Sequence, residues 1–202
     1  MLAHAEPSIL TSSPLPGKEF ILARHGQTDW NVEGRIQGHT DTPLNATGWQ
    51  QARDLAQRLE SHGVTLIVTS PLKRALYTAE VVSQHLGVSC CIDPDLKERS
   101  FGSFEGRLRS EIEREQNLAP GSSMTYMDFP PDAETASALE QRALRCISKW
   151  LTRYPDENLL FINHGAFFRA LHASLDIVHT TSVHNAHPYH FIPSSRGWSL
   201  TE

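Results

Sequence analysis

The sequence predicts an α/β fold of three layers, α/β/α, built on a mainly parallel central sheet and carrying an inserted cap segment. Three observations lead there. The short apolar runs Phe20-Ile21-Leu22-Ala23, Leu66-Ile67-Val68-Thr69 and Leu159-Leu160-Phe161-Ile162 read as strands buried on both faces. Stretches with apolar residues at helical spacing separate them, which is the alternation of a parallel sheet covered by helices. Each run also stops in polar, cation-capable residues: Arg24-His25-Gly26, Ser70-Pro71-Leu72-Lys73-Arg74 and Asn163-His164-Gly165. Ligands of open α/β sheets bind outside the carboxyl ends of the strands, so Arg24, His25, Arg74 and His164 are expected to line one anion pocket.

The elements follow in order. Residues 1–17, with Pro7, Pro14 and Pro16, read as a disordered or loosely packed tail, and residues 18–202 as the catalytic domain. Gly26 to Pro43 is a long polar loop at a strand end, a position that argues for function. Asn45 caps a helix whose apolar residues Trp49, Ala52, Leu55, Ala56 and Leu59 recur down to Gly63. Val64 to Thr69 is the second strand, and Pro71 opens a helix with Leu72, Ala75, Leu76, Ala79 and Val82 inward, closed by Gly87. Arg74 falls in the first turn of that helix, where a cation opposes the helix dipole and a bound anion would gain from both.

Val88 to Ile92 is a third strand, and Asp95 to Arg107 a loop carrying Glu98, Phe101, Gly102, Phe104, Glu105 and Gly106. Residues 105–137, polar and then rich in Pro, Gly and Ser, read as a cap or specificity insert. A helix from about Glu134 to Tyr154 buries Leu139, Ala143, Leu144, Ile147 and Leu151. The strand Leu159 to Asn163 and a helix from Gly165 to Leu175 complete the pattern.

Composition excludes several classes of function. Hydrophobic residues are 39% of the 202, charged residues 20%, and the formal net charge is -5. With no global attraction to polyanions, a local arginine cluster points to a small anionic ligand, not to nucleic acid or a membrane surface. Cys90, Cys91 and Cys146 form no disulfide framework or zinc spacing, and the adjacent pair points to opposite faces of a strand. No secretory signal or membrane span is evident, so a reducing, cytoplasmic setting is expected.

The chemistry these residues support is phosphoryl transfer. Charge spreads over three oxygens of a leaving phosphoryl group, and Arg24 and Arg74 present the planar, permanently charged forks that hold it. Attack by His25 would form a phosphohistidine and divide one displacement into two. Gly26 and Gly165 would omit side chains where the substrate approaches His25 and His164. Departure of an alkoxide needs a proton, for which Glu98 is the leading candidate and Glu105 the competitor.

These blocks together resemble the histidine phosphatase superfamily, also called phosphoglycerate-mutase-like, from about Lys18 to Glu202. The resemblance rests on Arg24-His25-Gly26-Gln27-Thr28-Asp29-Trp30-Asn31, on Arg35-Ile36-Gln37-Gly38 with Asp41, Pro43, Leu44 and Gly48, and on three further blocks. Those are Ser70-Pro71-Leu72-Lys73-Arg74-Ala75, Leu96-Lys97-Glu98-Arg99 leading to Phe101-Gly102, and Asn163-His164-Gly165. It implies that His25 is the phosphorylated nucleophile, that Arg24, Arg74 and His164 hold the phosphoryl group, and that Glu98 donates the proton. It also implies substrate contacts at Thr28, Asn31, Gln37 and Gly38 beside Gly165, and no metal or other cofactor. Gln27 stands where the family commonly has glutamate, and Asn163 where a small residue is usual.

The function expected is therefore a metal-independent phosphatase of small phosphorylated metabolites. Gly34-Arg35-Ile36-Gln37-Gly38 and the short tail after Trp198 favour the phosphatase branch over a phosphoglycerate-mutase-type phosphotransferase. Two other classes stand as alternatives. A non-catalytic phospho-ligand binder would lack one of His25, Arg74, Glu98 and His164, and all are present; a metal-binding module would use His179, His184, His187 and His190, which fit no ligand spacing. Apolar residues exposed on helices would serve a homodimer face.

Overall fold

The computed structural model describes residues 14–177 and 182–201. A six-stranded sheet runs through it in the order β3-β2-β4-β1-β5-β6. The four strands β1 (Phe20–Arg24), β2 (Leu66–Thr69), β3 (Ser89–Ile92) and β4 (Leu159–Asn163) are mutually parallel, while β5 (Pro188–Ser194) and β6 (Gly197–Thr201) are antiparallel at one edge. The three apolar runs identified in the sequence are thus the central strands β2, β4 and β1, lying side by side with their carboxyl ends at one edge of the sheet.

Alternation along these strands divides the core in two. Phe20, Leu22, Phe161 and Leu159 point to one face, against α5 (Ala136–Arg153) and α6 (Gly165–Ser174). Ile21, Ala23, Ile67, Leu160 and Ile162 point to the other, against α2 (Ala46–Arg58) and α3 (Lys73–Leu86). Full burial of each such Leu, Ile or Phe contributes about 1.5–3 kcal/mol, which is why both faces must be covered. Cys90 packs with the second cluster and Cys91 with the first, as period-two alternation requires.

The helices start where local chemistry dictates. Asn45 accepts the Gly48 N–H at 2.8 Å as N-cap of α2, and Thr135 accepts that of Ala138 as N-cap of α5. The helix expected from Pro71 begins two residues later, at Lys73, because Leu72 is held in extended backbone as its N-cap, which keeps Arg74 in the first turn.

Four features differ from the sequence reading. The 26–43 loop contains a short helix, α1 (Asp29–Glu33), closed by a Thr28–Asn31 capping box. The cap contains α4 (Arg109–Glu115) and, with Ile36, Phe101, Ile112 and Met127, a small core of its own. The C-terminal stretch, beyond the last element read from the sequence, is the hairpin β5–β6: Pro188 opens the strand, where a missing N–H is tolerated, and Tyr189 and Phe191 alternate inward. Leu15 is buried in the main core, so ordered packing begins inside the expected tail; residues 1–13 lie outside the described residues.

Among the described residues no helix is long and apolar enough to cross a membrane. The exposed large apolar residues Val32, Ile92 and Tyr126 stand on separate elements, so the expected apolar helix face for a homodimer is not formed by them.

Candidate active site

The carboxyl ends of β1, β2 and β4 meet at a cavity of about 180 Å³, lined among others by Arg24, His25, Asn31, Gln37, Gly38, Arg74, Glu98 and Gly165. His25 is fixed through its backbone. Its N–H donates to the Asn163 carbonyl at 2.9 Å and its own carbonyl accepts from Asn185 Nδ2 at 2.8 Å. Nδ1 of its ring lies 2.6 Å from the Gly26 carbonyl. A carbonyl can only accept, so Nδ1 carries the proton and Nε2 keeps its lone pair. Burial, with the charges of Arg74 and Arg24, holds the His25 pKa well below the usual histidine range, and the ring is neutral.

His164 backs this ring, with centroids 5.2 Å apart, and is itself fully buried. Its Nε2 meets the Ser70 hydroxyl at 2.8 Å, while Nδ1 has no partner among the described residues. Burial, Arg74, His25, Arg24 and Arg142 all lower its pKa, so this ring too is neutral.

Two guanidiniums complete the floor. Arg74 donates Nη1 to the Thr40 carbonyl at 2.8 Å and Nη2 to that of Gly38 at 2.7 Å. Burial lowers its pKa to about 10, partly offset by Glu98 and Asp41, which leaves it a cation at neutral pH. Arg24 donates Nη1 to the Val183 carbonyl at 3.2 Å. Among the described residues the Nε atoms of both arginines are buried without a partner, as is Nδ1 of His164. Two orphaned guanidinium donors and an imidazole nitrogen whose role its tautomer decides leave this buried pocket short of an anion's oxygens. Asn163, beside Arg24 in the β1–β4 register, is also buried with both amide atoms unpartnered.

The two candidate acids are placed differently. Glu98 lines the cavity, and its carboxylate accepts the N–H groups of Ala166 and Phe167 at 3.1 Å and of Arg99 at 2.9 Å, the first two from the N-terminus of α6. Glu105 is absent from the lining and accepts from Phe101, His39 and Thr40.

Some expected substrate contacts are corrected. Thr28 is fully buried: its hydroxyl donates to Gln37 Oε1 at 3.0 Å and accepts the Asn31 N–H, so it shapes the loop instead of facing the cavity. Gly26 is bare for its neighbour, since a Cβ there would stand 2.5 Å from the Gly48 carbonyl oxygen. The lining also holds Arg169, which sequence reasoning passed over; it lies one helical turn beyond Gly165, a spacing that brings it back over the N-terminus of α6. Asn185 was passed over as well; it lies in the loop before β5 and meets β1 only through an isolated bridge to Arg24, which no local pattern marks. Among the described residues no group of three His, Cys, Asp or Glu side chains could hold a metal ion. His190 packs on His62 and His187 on Tyr189, while His179 lies outside the described residues.

Residues 20–201 match the family model of the histidine phosphatase superfamily (branch 1). The chain belongs to that superfamily. Its relatives include the Bacillus subtilis uncharacterized phosphatase PhoE, 38% identical over 74% of this chain and 73% of PhoE. An Arabidopsis thaliana metal-independent phosphoserine phosphatase is 33% identical over 76% of this chain and 67% of its own length. A mycobacterial glucosyl-3-phosphoglycerate phosphatase, solved in complex with VO₃, superposes with a TM-score of 0.78 at 26% identity, covering 91% of this chain and 97% of that one. The chain is accordingly a histidine-phosphatase-type hydrolase.

Proposed function

We propose that this histidine phosphatase hydrolyses small phosphomonoesters through a phosphohistidine on Nε2 of His25, without a metal ion. One observation carries the reading: a buried imidazole, neutral and locked in the Nδ1–H tautomer, shares its pocket with two guanidinium Nε donors and a His164 nitrogen that have no partner among the described residues. The phosphoryl oxygens would take Nε of Arg24, Nε of Arg74 and Nδ1–H of His164. For Nδ1 to donate, the Ser70 hydroxyl must donate to Nε2 of His164, which the 2.8 Å contact allows.

In the first step the Nε2 lone pair bonds phosphorus as the ester P–O bond breaks, and Glu98 as a carboxylic acid gives its proton to the leaving oxygen. In the second, Glu98 takes a proton from water, whose oxygen bonds phosphorus as the P–N bond breaks, releasing inorganic phosphate. The arginines hold the charge in both steps and need not move. A mycobacterial relative was solved with VO₃, an oxyanion of the charge class this cavity would take.

The test is turnover of an aryl phosphate in EDTA by the native chain and by His25→Ala. Metal-free turnover is expected, with a loss of at least ~10³-fold in a variant that melts as a folded protein. An acid-labile, base-stable phosphoryl label should be captured on the native chain alone. Unchanged turnover in His25→Ala would refute the assignment, and return of phosphate to a bound acceptor, with little free phosphate, would identify a mutase-type phosphotransferase.

A further inference from the structure

A larger hollow opens off the catalytic cavity. It measures about 660 Å³ against about 180 Å³, and the two share Phe101, Arg109, Met124 and Arg169 as walls. One side is the face of α6 that carries Ala166, Ala170 and Ala173, the other the cap residues Met127 and Phe129. Residues four and three apart on a helix stand on one face, and three alanines there offer no side chain beyond Cβ. The wall they form, with Met127 and Phe129 opposite, is apolar.

Three arginines border this space, and they differ in how they are engaged. Arg99 lies over the Phe129 ring at 4.0 Å and donates Nε to the Glu134 carbonyl at 2.7 Å. Arg109 donates Nε to the buried Glu113 at 2.8 Å and Nη2 to the Ser122 carbonyl. Arg169 stands at the junction, lining both hollows, with Nη2 3.3 Å from where a Cβ on Gly165 would be. Among the described residues no carboxylate pairs with it within 4.0 Å and no hydrogen bond engages it. Glu140, also on the wall of the larger hollow, is the one carboxylate among its lining residues. The phosphoryl group would already be met by Arg24 and Arg74, so Arg169 is surplus to it.

We infer that the preferred substrate is a phosphomonoester whose leaving alcohol is bulky, largely apolar and carries a second anionic group, carboxylate or phosphate, near the reacting ester. Arg169 holds that second charge at the junction and the apolar body fills the annexe beneath the cap. The inference rests on the phosphomonoesterase reading above and adds what it leaves open, the class of alcohol released. A three-carbon ester would occupy the junction and leave the annexe empty.

The phosphate monoesters of 3-phenyllactic acid and 3-phenyllactamide have one shape and differ in charge beside the reacting ester, and the analogue with a phosphonate in place of the carboxylate separates phosphate from carboxylate recognition. Native enzyme should favour the acid over the amide by about tenfold in kcat/KM, and Arg169→Gln should reduce that ratio to about threefold or less. Ala170→Phe should lower kcat/KM for these esters relative to methyl phosphate by about tenfold, because the ring takes the space of the alcohol. Equal rates for acid and amide in the native chain, or a ratio that survives Arg169→Gln, would overturn the inference. Non-hydrolysable phosphonate versions of the pair, titrated calorimetrically, read the annexe without turnover. Tighter binding of the acid with no hydrolysis of either ester would sink the phosphomonoesterase reading and spare this one; hydrolysis with no charge preference would do the reverse.

Discussion

Glu105 holds Thr40 at two points: its Oε2 accepts both the Thr40 backbone N–H and the Thr40 hydroxyl at 2.9 Å. The carbonyls of Thr40 and Gly38 in turn accept the two Nη groups of Arg74, and a Cβ on Gly38 would collide with the Glu105 carboxylate. Glu105 therefore positions the loop that aims an arginine, while Glu98 faces the cavity. Removing its oxygens in Glu105→Ala strands several N–H groups and should destabilise the fold by about 1–3 kcal/mol in urea melts. The loss of activity should be the same for alkyl and aryl phosphates. Glu98→Gln should instead slow alkyl phosphates more than aryl ones, since aryl oxides leave with less proton donation. The opposite pattern would exchange the two roles.

Ser70 is the other positioning residue. Ser70→Ala removes the hydroxyl 2.8 Å from Nε2 of His164 and with it the reason for Nδ1 to carry the proton. A fall in kcat of about tenfold or more is expected, with KM changed less. Nitrogen-15 shifts of His164 should pass from one tautomer to a mixture; a single unchanged tautomer would refute the role.

The depressed pKa values of His25 and His164 make stability depend on pH with a definite sign. Burial first, then the arginine charges, keep both rings neutral in the fold, whereas the unfolded chain takes up protons below about pH 6.5. Stability is complete above that pH and is lost as pH falls toward the folded values, by up to about 1.4 kcal/mol per pH unit for each ring. Denaturant melts between pH 7.5 and 5 should show the slope, and His25→Ala should reduce it. A flat profile would contradict the burial of neutral imidazoles.

Gly26 and Gly48 cross backbone to backbone. A Cβ at position 26 would lie 2.5 Å from the Gly48 carbonyl oxygen, and one at 48 would meet the Gln27 carbonyl. Neither side can yield, because the Gly48 N–H is fixed by the Asn45 cap. Gly26→Ala should cost about 1–3 kcal/mol by thermal or urea melting. A native-like melting curve would show that the crossing can relax.

Much of the framework was readable from the chain because its signals are local. An apolar run that ends in Arg24-His25-Gly26 or Asn163-His164-Gly165 marks both a buried strand and the chemistry at its tip, and Asn45 marks a helix start within three residues. The hairpin β5–β6 was less legible, since Pro188, Pro193 and His190 disguise a strand whose alternation shows only once β1 lies beside it.

By itself the sequence determined which chemical groups arrive at the sheet edge: Arg24 and His25 at the end of β1, Arg74 after β2, Glu98 after β3 and His164 after β4. The tertiary structure decided their states. The Gly26 carbonyl selects the His25 tautomer, Asn185 from a distant loop holds its backbone, Thr28 is turned inward, and the Arg169 side chain is left unpaired among the described residues beside an annexe no motif announces. The reason is physical: burial and hydrogen-bond partnership depend on residues far apart in the chain, and residue spacing carries no record of which polar atom will be left without a partner.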